Sequence, residues 1–142
     1  MILPYSASDK DAVLHIWKAA SAIAHPFLSA DVTNQAEAMI RDQLLDMAEV
    51  WMVEYSGQKV GFIAFLGDEI GGLFVLPDYQ GLGIGQKLLV KAKEARAELT
   101  LSVFTENPKA QGFYQHHGFR ETERLTSDFF GHEEIRMLWC KP

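Results

Sequence analysis

One cysteine, Cys140, occurs among 142 residues, so no disulfide can form within a chain and packing alone must hold the fold. That usage suits a reducing cytoplasm. No apolar stretch approaches the ~20 residues of a membrane span, and no basic-then-apolar leader follows Met1. Neither a spanning helix nor a secretion signal is therefore expected. Positive charge is also scarce: 13 Lys and Arg stand against 19 Asp and Glu, a net charge of −6. A nucleic-acid partner needs a basic stripe, which this balance argues against. His116-His117 has no Cys or carboxylate at ligand spacing, so no metal is expected. Repeats, linkers and low-complexity segments are missing too.

What is present is ordinary globular material, 48% hydrophobic and 23% charged. The length suits one domain spanning residues 1–142 with its own core. The acidic balance favours a cationic acceptor, such as an amine, a polyamine or a lysine side chain, although it also serves plain solubility.

Along the chain, Ile2-Leu3-Pro4-Tyr5 reads as a short edge strand, because Pro cannot donate to a ladder. Ser6 and Ser8 offer N-caps with Asp9 or Asp11 three residues on. Val13, Ile16, Trp17, Ala20 and Ala24 then recur at helical spacing up to His25-Pro26. A loop, His25 to Asp31, precedes a second helix expected after Thr33, with Ala36, Met39, Ile40, Leu44 and Met47 on its buried side. Val50–Tyr55, Val60–Leu66 and Glu69–Val75 form an antiparallel meander, turning at Ser56–Lys59 and at Gly67-Asp68. Gly71-Gly72 inside a strand suggests a bulge or a close backbone approach. A helix beginning at Gln86 and reaching about Glu98 turns Leu88, Leu89, Ala92 and Ala95 inward, together with Ile84 just before it. It leads to a parallel strand, Thr100–Phe104, through a right-handed crossover. A short helix from Ala110 to His117 ends at Gly118-Phe119. Two last strands, near Arg120–Ser127 and Glu133–Trp139, pair around Phe130-Gly131-His132. Cys140, at the end of a terminal strand, reads as packing rather than as a nucleophile.

The most informative stretch runs from Leu73 to Gly85: an apolar strand, a stop at Pro77, and then Gln80-Gly81-Leu82-Gly83-Ile84-Gly85 leading into a helix. Glycines let the backbone take φ > 0 and approach a ligand closely. The free N–H groups and dipole of the helix start favour an anion such as phosphate. The dinucleotide fingerprint fails because Gln86 stands where its third Gly belongs, and the P-loop fails because the turn reads Gly85-Gln86-Lys87.

Gln80-x-x-Gly83-x-Gly85, preceded by Leu73-x-Val75-x-Pro77, resembles the acyl-CoA signature of the GNAT N-acetyltransferase superfamily. Asn107-Pro108-x-Ala110-x-x-Phe113-Tyr114-x-x-x-Gly118-Phe119 resembles that family's second motif, in the right order and at a familiar separation. The likeness is sharp from about Glu69 to Phe119. It implies an α/β (α+β) GNAT fold: a mixed, mostly antiparallel twisted sheet of about six to seven strands with a central parallel pair, flanked by about four helices. It also implies an enzyme that moves acetyl from acetyl-CoA to a primary amine by direct attack in a ternary complex. A non-catalytic acyl-CoA sensor of the same fold is the first alternative. The second is a toxin-like acetyltransferase acting on aminoacyl-tRNA, which the acidic balance opposes.

By the same resemblance, Leu73, Phe74 and Val75 flank the pantetheine arm, with the Val75 N–H aimed at the thioester carbonyl. Gln80, Gly81, Leu82, Gly83, Ile84, Gly85, Gln86 and Lys87 surround the pyrophosphate. Asn107 and Phe113 complete the coenzyme side. Tyr114 matches a position whose hydroxyl lies near the CoA sulfur, and a phenol of ordinary pKa ~10 can donate to a departing thiolate. For the base there are two candidates: Glu69, if burial raises its pKa, and His25, whose ordinary pKa suits the task. A water chain is the third route. His25, Phe27 and Leu28 are expected to line the acceptor pocket, within variable loops at His25–Thr33 and Ser127–Glu134. Exposed terminal strands in such folds often pair between subunits, so a homodimer is a further expectation.

Overall fold

The computed structural model describes all residues 1–142. Seven strands form one sheet: β1 (Ile2–Pro4), β2 (Glu49–Tyr55), β3 (Gln58–Leu66), β4 (Glu69–Val75), β5 (Glu98–Phe104), β6 (Arg120–Thr126) and β7 (Glu133–Cys140). Their order is β1-β2-β3-β4-β5-β7-β6, so the last strand slots between β5 and β6. The meander β2–β3–β4 is antiparallel throughout. Its first turn holds Ser56 and Gly57 at φ of 53° and 77°, a mirror-image turn that matches strand twist.

β4 and β5 are the parallel pair. Helix α4 (Ile84–Glu94) carries the chain between them. The two strands share a single register pair, Glu69 opposite Thr100, beside which the Thr100 N–H donates to the Asp68 carbonyl at 2.9 Å. Beyond that point they splay, leaving a V-shaped gap along the C-terminal half of β4.

Helix α1 (Lys10–Ala24) grows from one turn of 3-10 helix at Ala7–Asp9. The Ser6 N–H donates to Asp9 Oδ2 at 3.0 Å, and Lys59 Nζ donates to Asp9 Oδ1 at 3.0 Å. Val13, Ile16, Trp17 and Ala20 bury the inner face of α1 against the sheet. Helix α2 (Ala30–Met39) begins earlier than expected, because the Ser29 hydroxyl accepts from the Val32 N–H and caps it. A π-helical stretch, Ile40–Leu44, then adds a residue to the turn before helix α3 (Leu45–Met47). That extra residue rotates the helical phase. Leu45 becomes buried, whereas Met47, expected inside, is 70% exposed; Met39, ahead of that stretch and also expected inside, is 43% exposed.

Helix α4 starts at Ile84 rather than Gln86 and stops at Glu94 rather than near Glu98, since Glu98 already pairs with Cys140 in the sheet. Ala95 is therefore exposed and not, as expected, buried. Helix α5 (Pro108–His116) opens at the proline, which suits a first helical position, where no N–H acceptor is needed. One continuous core runs from α1 through β3 and β4 to Leu88 and Leu89 of α4.

Candidate active site

The cradle is main chain. The Leu76 N–H donates to the Val60 carbonyl at 2.8 Å, so that residue faces β3. Strand alternation turns Phe74 the same way, and turns the N–H and C=O groups of Leu73 and Val75 toward the gap. β5 has diverged there and pairs with neither residue. The Val75 carbonyl is taken by Gln80 Nε2 at 3.0 Å, and Gln80 Oε1 accepts from Lys109 Nζ at 3.3 Å. The remaining edge groups of Leu73 and Val75 are free to receive an extended ligand as an added strand.

At the end of β4, Pro77–Tyr79 makes one 3-10 turn, and Gly81 and Gly83 follow at φ of 82° and 80°. A Cβ built at either position would meet nothing within 4 Å, so the glycines are required by backbone conformation, not by space within the protein. Gly85 differs. It lies inside α4, where a Cβ would come within 3.4 Å of the Phe113 ring, and it lets α4 and α5 close together. The first intrahelical bond of α4 runs from the Lys87 N–H to the Gly83 carbonyl. The N–H groups of Ile84, Gly85 and Gln86 therefore have no acceptor within the helix. Ile84 buries its side chain in the core, so it can meet a ligand only through its backbone. Leu82, Gln86 and Lys87 are exposed around the turn.

The free edge of β4 borders a cavity of about 450 Å³ between the sheet and the N-terminal helices. A bulge shapes it. Ala64 pairs with Gly72 and Phe65 pairs with Ile70, which leaves Gly71 as an extra residue in β4. The strand's facing reverses at that point. Glu69 consequently shares a face with Phe62 and Phe74, and Ile70 turns into the core.

Glu69 lines the cavity with its charge already matched. Arg136 Nη1 and Nη2 donate to its two oxygens at 2.6 and 2.7 Å, and Thr100 Oγ1 donates at 3.0 Å. The Arg136 hydrogen bonds hold its carboxyl below the usual carboxylate range, outweighing the opposing effect of burial. The expectation of a Glu69 raised toward neutrality by burial is thus corrected. β7 delivers this arginine from the far side of β5, and nothing local to Glu69 in the sequence announces it.

His25 also lines the cavity. Asn107 Oδ1 accepts from the Ala110 N–H at 3.2 Å, which fixes the amide so that its Nδ2 donates. His25 Nε2, 3.3 Å from that Nδ2, is therefore the acceptor, and Nδ1 donates to Ser21 Oγ at 3.1 Å. Burial pushes the imidazole down to about 4. The ordinary pKa assumed for His25 does not hold: the ring is neutral at pH 7 and its basic nitrogen is engaged. Leu28 faces the cavity. Phe27 stands behind the wall, edge-on to Phe104 with ring centroids 5.2 Å apart.

Tyr114, on α5, is 9% exposed and packs against Phe113 and Phe119. It borders the same cavity. Its hydroxyl makes none of the protein's side-chain hydrogen bonds, yet no buried side-chain polar atom lacks a partner, so the oxygen reaches the cavity space. Burial pushes the phenol well above its ordinary pKa, which keeps it a proton donor.

Sequence reasoning singled out neither Arg136 nor Glu134. Glu134 lies near the start of the last strand, opposite Phe104, and also lines the cavity. Only its place at the end of the Ser127–Glu134 loop pointed that way.

Residues 46–121 match the family model for the acetyltransferase (GNAT) domain. The chain belongs to the GNAT acetyltransferase family. It is accordingly an acetyl-CoA-dependent N-acyltransferase. The chain is 36% identical over 117 residues to the peptidyl-lysine N-acetyltransferase YjaB of Escherichia coli K12, covering 82% of this chain and 79% of that protein. It is 31% identical over 120 residues to the peptidyl-lysine N-acetyltransferase YiaC of the same organism, covering 84% and 82%. The solution structure of apo-form YjaB from Escherichia coli superposes with a TM-score of 0.87 at 30% identity, covering 98% of this chain and 96% of that one. A PaiA N-acetyltransferase from Thermoplasma acidophilum, solved with coenzyme A, has a TM-score of 0.82 at 18% identity, covering 99% and 98%, and shares the GNAT fold.

Proposed function

We propose that this GNAT protein acetylates the side-chain amine of lysine in a peptide or protein, taking acetyl from acetyl-CoA in a single ternary complex. One observation carries the reading: the unpaired edge of β4 opens directly onto a cavity whose walls are mostly apolar and whose charged lining is two carboxylates, Glu69 and Glu134. A lysine side chain has the complementary form, an aliphatic stem ending in an ammonium. The named activities of YjaB and YiaC support the same acceptor.

The chain's own groups divide the work. Leu73 and Val75 take the pantetheine arm as an added strand, with Phe74 on the acceptor side, and the Val75 N–H polarises the thioester carbonyl. The free N–H groups from Gly81 to Gln86 hold the pyrophosphate, with the Lys87 charge nearby. Phe113 and Gly85 set the packing that fixes the helix start. Tyr114 gives its proton to the departing sulfur. Asn107 and His25 form a neutral wall that orients without titrating, and Leu28 lines the entry.

The direct test is incubation with acetyl-CoA and a set of lysine peptides, polyamines and small amines, reading free thiol and product mass. Acetylated lysine with thiol release in equal amounts is expected. Thiol release with polyamines and none with peptides would overturn the acceptor assignment.

A further inference from the structure

Two carboxylates line the cavity, Glu69 and Glu134. The first is saturated by Arg136 and Thr100. The second is half-buried, and its carboxylate takes part in none of the side-chain hydrogen bonds or ion pairs that stitch the surrounding strands together. Arg136 is two residues away on the same strand, but its guanidinium is spent on Glu69 and on Ser102 Oγ, 2.9 Å away. The other titratable groups facing this space are His25, held neutral, and the Tyr114 phenol. The His132–Glu106 pair sits nearby on the flanking loops. Glu69, Arg136 and Glu134 together thus carry one unbalanced negative charge, enough for one cation.

We propose that Glu134 receives the acceptor's ammonium and takes its proton, an assignment that rests on the lysine-acetyltransferase reading above. An unpaired carboxylate half out of water attracts an ammonium strongly, because solvent screens the pair less than at an open surface. Burial raises the Glu134 pKa, the direction that suits a base working near neutral pH. Met39 and Phe129, both exposed and both bordering the cavity, offer apolar surface to the chain that bears the lysine.

The step balances as follows. An N–H bond of the ammonium breaks and an O–H bond forms on Glu134. The freed nitrogen lone pair attacks the thioester carbonyl carbon, the C–N bond forms, and the C–S bond breaks with its electron pair going to sulfur. Sulfur takes the Tyr114 proton, and the second proton shed by nitrogen as the amide forms replaces it through solvent. Glu134 returns its proton to water, so each turnover releases one proton.

The test compares wild type, Glu134→Gln and Glu134→Asp with acetyl-CoA and a lysine peptide from about pH 6 to about pH 10, approaching the ordinary pKa of lysine. Thermal unfolding and acetyl-CoA titration show that each variant is folded and holds its co-substrate. Glu134→Gln should lower kcat/KM about 100-fold at pH 7, the lower end of what a positioned base contributes. The deficit should narrow as rising pH supplies neutral amine from solvent, and Glu134→Asp should recover part of the rate. A Glu134→Gln variant as active as wild type, or a deficit of the same size at every pH, overturns the assignment and leaves the acceptor reading standing. A wild-type protein that acetylates no lysine peptide removes both.

Discussion

Replacing Arg136 with methionine should destabilise the protein at neutral pH and hardly at all in acid. The substitution keeps an unbranched apolar stem and removes both hydrogen bonds to Glu69, at 2.6 and 2.7 Å. Hydrogen bonds to charged groups contribute about 1.5–3 kcal/mol when well protected. Here the two side chains are 25% and 38% exposed, so solvent screening reduces the value to about 1–2 kcal/mol for the pair. For a domain of this size that corresponds to about 3–7 °C in Tm. The sign of the pH dependence follows from the lowered native pKa of Glu69. Its contribution is complete above the ordinary carboxylate value and is lost as pH falls through the native one. Denaturant unfolding of wild type and Arg136→Met at pH 7 and at about pH 2.5, well below the ordinary carboxylate value, therefore gives a gap that shrinks on acidification. Adding Glu69→Gln to Arg136→Met should cost little more, because the pair is already broken. An equal gap at both pH values, or fully additive substitutions, would refute the argument.

Tyr114→Phe should reduce kcat at least tenfold while leaving acetyl-CoA affinity near wild type by calorimetry, since the hydroxyl has no structural partner. Gly83→Val should abolish coenzyme A binding and also destabilise the fold, because a β-branched residue at φ of 80° is strained. Gly83→Asn tolerates that φ, so it should keep most of the stability and still weaken coenzyme A at the cradle. Nitrogen-15 NMR of His25 should show a neutral Nδ1–H imidazole at pH 7 that titrates near 4. As folding holds that ring uncharged, stability is complete above the ordinary histidine value and declines as pH falls toward 4.

Much of this architecture is legible in the sequence because its signals are local. The strand into Pro77, the glycine turn, and the apolar spacing of α1 and α4 each announce themselves within about ten residues. What escapes is what depends on distant partners or on a change of phase. The π-helical residue between α2 and α3 buried Leu45 in place of Met47, an inserted register that no periodicity rule anticipates. Gly71-Gly72 did flag the bulge, but not its consequence, that Glu69 would turn to the cavity face. Arg136 reaches Glu69 only because β7 inserts beside β5, and that pairing joins residues 67 positions apart. The protonation states of Glu69 and His25 went the other way for the same reason: the charges and apolar walls that set them come from elsewhere in the chain.

The central claim is that coenzyme A is held by main chain, along the free edge of β4 and around the glycine turn. Backbone amide NMR with and without acetyl-CoA measures it directly. The account predicts large shifts and slowed hydrogen exchange at Val75 and from Gly81 to Gln86 on binding, with Phe74, already paired to β3, changing less in exchange. Saturation by acetyl-CoA that leaves the Val75 and Gly83 to Gln86 amides where they were would contradict it.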